Sequence, residues 1–239
     1  MQQQVHTPTF DDSIPQIHLS KCKQEFRNYV NSSRHDIVQN HYCLMRQNQT
    51  YDFVQMMHEK YSFTGNKFRA RMTIREAFKI LETYVDSSDP DVSLPNLIHM
   101  LQTAEGIRKD GHPDWFQLVG LIHDMGKIMF LWGDEHCGQK GTAEGPQWAL
   151  GGDTWVVGIK IPDCVVFPEF NSLNPDMSNE RFSKQSGIYE PHCGIDNLLF
   201  AYGHDEYLYQ MVVSISIISL KSISFRAFNL SEYSENSMF

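Results

Sequence analysis

The chain has 239 residues, 41% of them hydrophobic and 21% charged, enough apolar material for one sizeable core. Twenty basic against 29 acidic side chains give a net charge of −9. That disfavours a general nucleic-acid surface, because phosphate backbones demand a clustered basic face and none appears in the sequence.

The five cysteines, Cys22, Cys43, Cys137, Cys164 and Cys193, are scattered and form no C-x-x-C pair. This argues against a disulfide framework and for a reducing compartment. The first residues lack a basic start and an apolar run, so no secretory signal is expected. The longest apolar patch, near 211–220, is too short and too rich in serine to span a bilayer. A cytoplasmic monomer with no nucleic-acid or membrane partner is expected.

In chain order, residues 1–19 are polar, contain Pro8 and Pro15, and read as a disordered lead-in. A helical domain is expected over 20–210 and an atypical tail over 211–239. Apolar side chains at Val38, Tyr42, Met45, Tyr51, Val54 and Met57 follow a 3.6 period, predicting one long helix or two over 36–61. Residues 73–85 read as an amphipathic helix with Ile74, Ala77, Ile80, Leu81 and Tyr84 on one face. Thr73 and Glu76 have the spacing of a capping box. The run Asp86-Ser87-Ser88-Asp89-Pro90-Asp91 is a turn by composition. Pro95 starts a further helix through Lys109, with His99 on the flank of its apolar stripe.

Residues 115–130 read as the next helix, with Trp115, Leu118, Val119, Ile122 and Met129 facing the core. A glycine-rich loop is expected over 132–146, then a loop or short strand pair over 147–167. Helices are predicted over 193–201 and 204–213. The tail alternates Ile with Ser and reads as a strand. The fold class is therefore mainly α, a helical bundle with a small strand or loop excursion.

The chemistry centres on L-V-G-L-I-H-D-M-G-K, where His123 and Asp124 lie side by side in an apolar run. A buried Asp124 without a partner would cost several kcal/mol or more. Either hydrogen bonds satisfy the pair, or a cation does. Neighbours on a helix point about 100° apart, so both could reach one metal only near a helix end or distortion, which Gly126 could provide. Lys127 lies on the same side, at i+4 from His123 and i+3 from Asp124. His99 and a later histidine on separate helices would complete a centre of converging N/O ligands.

Five strings, D-S-S-D-P-D-V-S-L-P-N, H-M-L-Q-T-A-E-G-I-R-K, D-W-F-Q-L-V-G-L-I-H-D-M-G-K, P-Q-W-A-L-G-G-D-T-W-V-V-G and Y-E-P-H-C-G-I-D…G-H-D-E-Y-L-Y-Q, closely resemble the inositol oxygenase family. That family is a divergent branch of the helical HD-domain proteins, and the resemblance covers roughly 26–210. It implies an HD-domain-like bundle and a non-haem di-iron oxygenase that uses O₂ to cleave myo-inositol to D-glucuronate. By motif matching it implies His99 and His123 on one iron, Asp124 as a bridge and His204 on the second. Lys127 matches the lysine at the reacting carbon's oxygen. Arg27, Asp86, Ser87, Ser88, Gly152 and Asp153 match polyol contacts.

Two departures from the family pattern stand out. Residues 133–145 are longer than the family's connection, and their composition predicts an exposed polar loop in which His136 and Cys137 are not ligands. The pattern also stops near Gln210, before a histidine and an aspartate that complete the two iron sites in the family. A C-terminally truncated bundle that retains one metal, at His99, His123 and Asp124, and turns over poorly is the corresponding expectation. A metal-dependent HD-type phosphohydrolase or an inactive form are the alternatives.

Overall fold

A computed structural model describes residues 27–63, 69–91, 93–140 and 145–215. The expected lead-in over 1–19 and nearly all of the tail lie outside these residues. Among them there are six α-helices and no strand, only isolated bridges between Val85 and Pro95 and between Val156 and Phe200. The fold is mainly α, and the excursion over 147–167 is loop, not a strand pair.

The stretch over 36–61 is two helices, α1 (His35–Asn48) and α2 (Tyr51–Lys60). The break falls at Thr50, whose extended backbone lets its hydroxyl accept from the Phe53 N–H and start the second helix. Val38, Tyr42 and Met45 from α1 meet Val54, Met57 and Tyr61 in the core.

Helix α3 (Ile74–Leu81) opens on the capping box: Thr73 Oγ accepts from the Glu76 N–H, and the Glu76 carboxylate accepts from the Thr73 N–H. Ala77, Leu81 and Tyr84 are buried as the periodicity predicts, whereas Ile74 is exposed. Thr73→Ala is expected to cost about 1 kcal/mol, read as a fall in Tm of about 2–4 °C.

Helices α4 (Asn96–Lys109) and α5 (Asp114–Ile122) pack against each other across a short connector. The helix expected over 115–130 is not continuous. α5 ends at Ile122 and a 3₁₀ segment, Met125–Trp132, follows. Val119 and Met129 are buried, but Trp115 is 58% and Leu118 53% exposed. A nine-residue helix turned on one neighbour covers only part of the apolar arc that its sequence offers.

The segment expected to be helical over 193–201 holds one 3₁₀ turn, Ile195–Asn197. Helix α6 (His204–Ile215) packs on the 3₁₀ segment and runs into the alternating stretch, so residues 212–215 are helical where a strand was expected. The rest of that stretch, 216–239, is not among the described residues. No helix among them is long and apolar enough to cross a membrane.

Residues 133–140 differ from the expected surface loop. His136 is exposed and Cys137 half-buried, but Gln139 is fully buried. Its Oε1 accepts from Tyr61 Oη at 2.8 Å and from Lys60 Nζ at 3.3 Å. The loop is thus anchored to α2 by a polar side chain that no periodic pattern marks.

Candidate metal centre

His123 is the cap residue ending α5, and Asp124 is the cap residue opening the 3₁₀ segment. With φ −94° and ψ 2°, Asp124 occupies the bridge region, where the α-helical path is left. The pair therefore sits at a helix break, and both side chains turn to one side.

What packs beneath explains Gly126. A Cβ built there would lie 1.8 Å from the His204 carbonyl oxygen. Only a residue without a side chain lets the 3₁₀ segment and the start of α6 come this close. The contact brings His204 Nε2 to 3.1 Å from Asp124 Oδ1.

Around the buried Asp124 carboxylate, His123 Nε2 is 3.4 Å from Oδ1 and His99 Nε2 is 3.7 Å from Oδ2. The two Nε2 atoms of His99 and His123 lie 3.2 Å apart. His99, His123 and Asp124 can each offer one ligand atom, all within 4.8 Å of one another. The His99 side chain, 41% exposed, marks the open side of the cluster.

The donor chemistry fits a metal ion. His123 Nδ1 meets the Gly120 carbonyl at 2.7 Å, and His204 Nδ1 meets the Leu150 carbonyl at 2.8 Å. A carbonyl only accepts, so both Nδ1 atoms carry protons and both Nε2 atoms face a carboxylate. That arrangement requires a positive centre between them, either a proton or a cation. Burial opposes charge on His204, but the Asp124 hydrogen bond outweighs it and raises the imidazole's affinity for a proton. Burial likewise opposes ionisation of Asp124; His123, Lys127 and His204 outweigh it and hold the carboxyl well below the usual range. Imidazoles with one carboxylate suit iron, manganese or zinc alike.

Lys127, 3% exposed, donates from Nζ to Asp86 Oδ2 at 2.7 Å, Asp124 Oδ2 at 2.8 Å and Asn96 Oδ1 at 3.1 Å. Burial works against its charge, but the two carboxylates outweigh it and raise the amine above the usual lysine range. Ser88 donates from its backbone and its hydroxyl to Asp86 Oδ1, leaving Oδ2 for the lysine. Ser87 is buried and its hydroxyl meets His41 Nδ1 at 3.0 Å.

The structure thus gathers His99, His123, Asp124, His204, Lys127 and Asp86 into one cluster. Gly152 borders it: a Cβ there would lie 2.9 Å from His204 Cε1. Two of the expected polyol contacts are engaged differently. Asp153 is ion-paired to the buried Arg46 at 2.8 Å. Arg27 lies at the far end of the Asp86 turn, its N–H on Asp91 and its guanidinium on the Tyr29 hydroxyl.

Sequence reasoning missed Asn96, Arg46 and His41. Asn96 precedes His99 by one helical turn, a spacing that could have revealed it. No local signal marks the other two. Burial pushes His41 down to about 4 from 6.5, against the pull of Asp86. The unfolded chain therefore takes up a proton before the folded one does. Stability present above pH 6.5 is lost as pH falls towards 4, by on the order of 3 kcal/mol. His41→Gln is expected to flatten that part of the stability–pH curve in denaturant titrations.

Fold and cluster together define a helical protein with a histidine–aspartate centre suited to a metal ion. Residues 35–235 match the family model described as Myo-inositol oxygenase. The chain belongs to the myo-inositol oxygenase family, and the matched stretch runs past Gln210, where the recognisable strings end. Over 197 residues it is 48% identical to the inositol oxygenase of Mus musculus, covering 81% of this chain and 64% of the mouse protein. It is 44% identical over 211 residues to the Homo sapiens inositol oxygenase, covering 87% and 67%. It is 41% identical over 186 residues to a probable inositol oxygenase of Oryza sativa, covering 77% and 57%. The chain spans less than two thirds of the mouse relative's length.

Proposed function

We propose that this chain catalyses iron- and O₂-dependent cleavage of the myo-inositol ring to D-glucuronate in the cytoplasm. The observation that carries the reading is the set of three imidazoles and one ammonium around the buried Asp124 carboxylate, in a chain of this family. His99, His123 and Asp124 would hold one iron, and His204 with Asp124 would contribute to a second. Bound there, iron supplies the dioxygen-dependent oxidation that no side chain can perform.

The chain's own groups do the rest. The Lys127 ammonium stabilises negative charge on the substrate oxygen at the reacting carbon. Asp86 fixes that ammonium, and Ser88 fixes Asp86. Asp86 and Ser88, together with Gly152, offer the hydrogen-bonding wall that a ring hydroxylated at every carbon requires, and Ser87 supports that turn from beneath through His41. Asp153 and Arg27 contribute from further out, Asp153 as a partner of Arg46.

The test is an anaerobic iron titration followed by O₂ and myo-inositol, with glucuronate measured. Wild-type protein is expected to bind iron and to form glucuronate, slowly where only the iron at His99, His123 and Asp124 is held, and Asp124→Ala to do neither. Iron-loaded wild-type protein that forms no glucuronate would overturn the proposal. Release of phosphate from nucleotides without O₂ would point instead to the hydrolytic chemistry of HD-domain proteins.

A further inference from the structure

We propose that Asn96 is a positioning residue for Lys127: an uncharged third acceptor that fixes the ammonium's orientation. The proposal deepens the reading above, in which Lys127 faces the substrate oxygen. A lysine ammonium has three N–H donors and no acceptor. All three are taken, by Asp86 Oδ2, Asp124 Oδ2 and Asn96 Oδ1. Three fixed acceptors leave one orientation for a group that otherwise rotates freely about its last bond.

Asn96 is itself held. It is 2% exposed, its N–H donates to the Tyr84 carbonyl at 2.8 Å, and its Nδ2 meets Met100 Sδ at 3.3 Å. The Val85–Pro95 bridge joins the two segments that carry Asp86 and Asn96. Two of the three acceptors therefore belong to one clamped unit, set over Lys127 from α3's exit and α4's start.

The residue type follows from charge. Asp86 and Asp124 already place two carboxylates on one ammonium. A third carboxylate would be buried without a counter-charge. An amide accepts the last N–H at no cost in charge. At the same time a neutral acceptor is the weakest of the three, so a substrate oxygen entering beside Lys127 exchanges with Asn96 and not with either carboxylate.

The test separates charge from shape. Asn96→Asp keeps the side chain's outline and Asn96→Ala removes it. A space-filling role makes alanine the worse change. A positioning role through Lys127 makes aspartate the worse one. The expected result in iron-loaded protein is a fall in kcat for myo-inositol of roughly tenfold in Asn96→Ala and on the order of a hundredfold in Asn96→Asp, with smaller changes in KM.

A second readout needs neither iron nor turnover. In a double-mutant cycle on Tm, the loss caused by Asn96→Ala is expected to shrink by at least half in a Lys127→Met background. Equal losses in both backgrounds, or aspartate better tolerated than alanine, overturn the proposal. Wild-type protein without turnover would sink the inositol reading, while the thermal cycle would still decide whether Asn96 acts through Lys127.

Discussion

Gly126→Ala is expected to unseat His204 and to lower stability by about 3 kcal/mol or more, the upper end for overpacking. An alanine Cβ would lie 1.8 Å from the His204 carbonyl oxygen and 2.7 Å from its carbonyl carbon. Both are backbone atoms, so no change of rotamer relieves the clash. The 3₁₀ segment and α6 must separate, which draws His204 Nε2 away from Asp124. In thermal melts this is a loss of about 6–12 °C for a chain of this size. In metal titrations the variant loses whatever binding depends on His204 and keeps what depends on His99, His123 and Asp124. Gly106→Ala is the control. It lies within α4 with nothing inside 4 Å of an added Cβ. There alanine is expected to be neutral or to stabilise by up to ~1 kcal/mol. A Gly126→Ala protein that melts like wild type, with His204-dependent binding intact, would falsify this account of the glycine.

The same glycine shows how much of the site could be read from the chain. The geometry of adjacent helical side chains made a helix end or distortion the condition for His123 and Asp124 to share one metal, yet a continuous helix was expected over 115–130; the structure ends α5 at the pair. Spacing put Lys127 on the Asp124 side, and their contact follows. What the spacing could not reveal is that Gly126 serves α6 as much as it serves the break. That contact joins residues 78 positions apart in the chain. Arg46–Asp153 and Tyr61–Gln139 are illegible for the same reason. Each pairs a helix with a distant loop, and a periodic pattern describes one element at a time. Trp115 and Leu118 mark the opposite failure. Their apolar character is plain in the sequence, but which part of a short helix a neighbour covers is settled only by packing.

The coupling of Lys127 to two carboxylates leads to the other large expected effect. Lys127→Met fills similar space and removes the charge, leaving Asp86 and Asp124 without their shared cation. Breaking a buried pair from one side costs about 3–5 kcal/mol at neutral pH. The pH dependence then identifies the cause. In the wild type burial favours the protonated acids, but Lys127 and the other neighbours outweigh it and both carboxyls stay below their ordinary values. Their stabilisation is present above the unfolded value of about 4 and is lost as pH falls further, through the depressed folded values. In Lys127→Met burial is opposed by less, so the folded carboxyls rise and bind protons that the unfolded chain does not. The carboxyls' contribution to the variant's stability then increases on acidification from neutral pH towards 4, since they now hold more protons in the folded state, while the loss due to His41 is common to both proteins. The stability gap between metal-free wild type and variant is therefore expected to narrow steadily over that interval in urea titrations. Adding Asp86→Asn to Lys127→Met should recover part of the loss at pH 7 and reduce the pH dependence of the gap. A gap of constant size from pH 7 to 4 would mean that Lys127 stabilises the fold by packing alone, and that the two carboxylates have other sufficient partners.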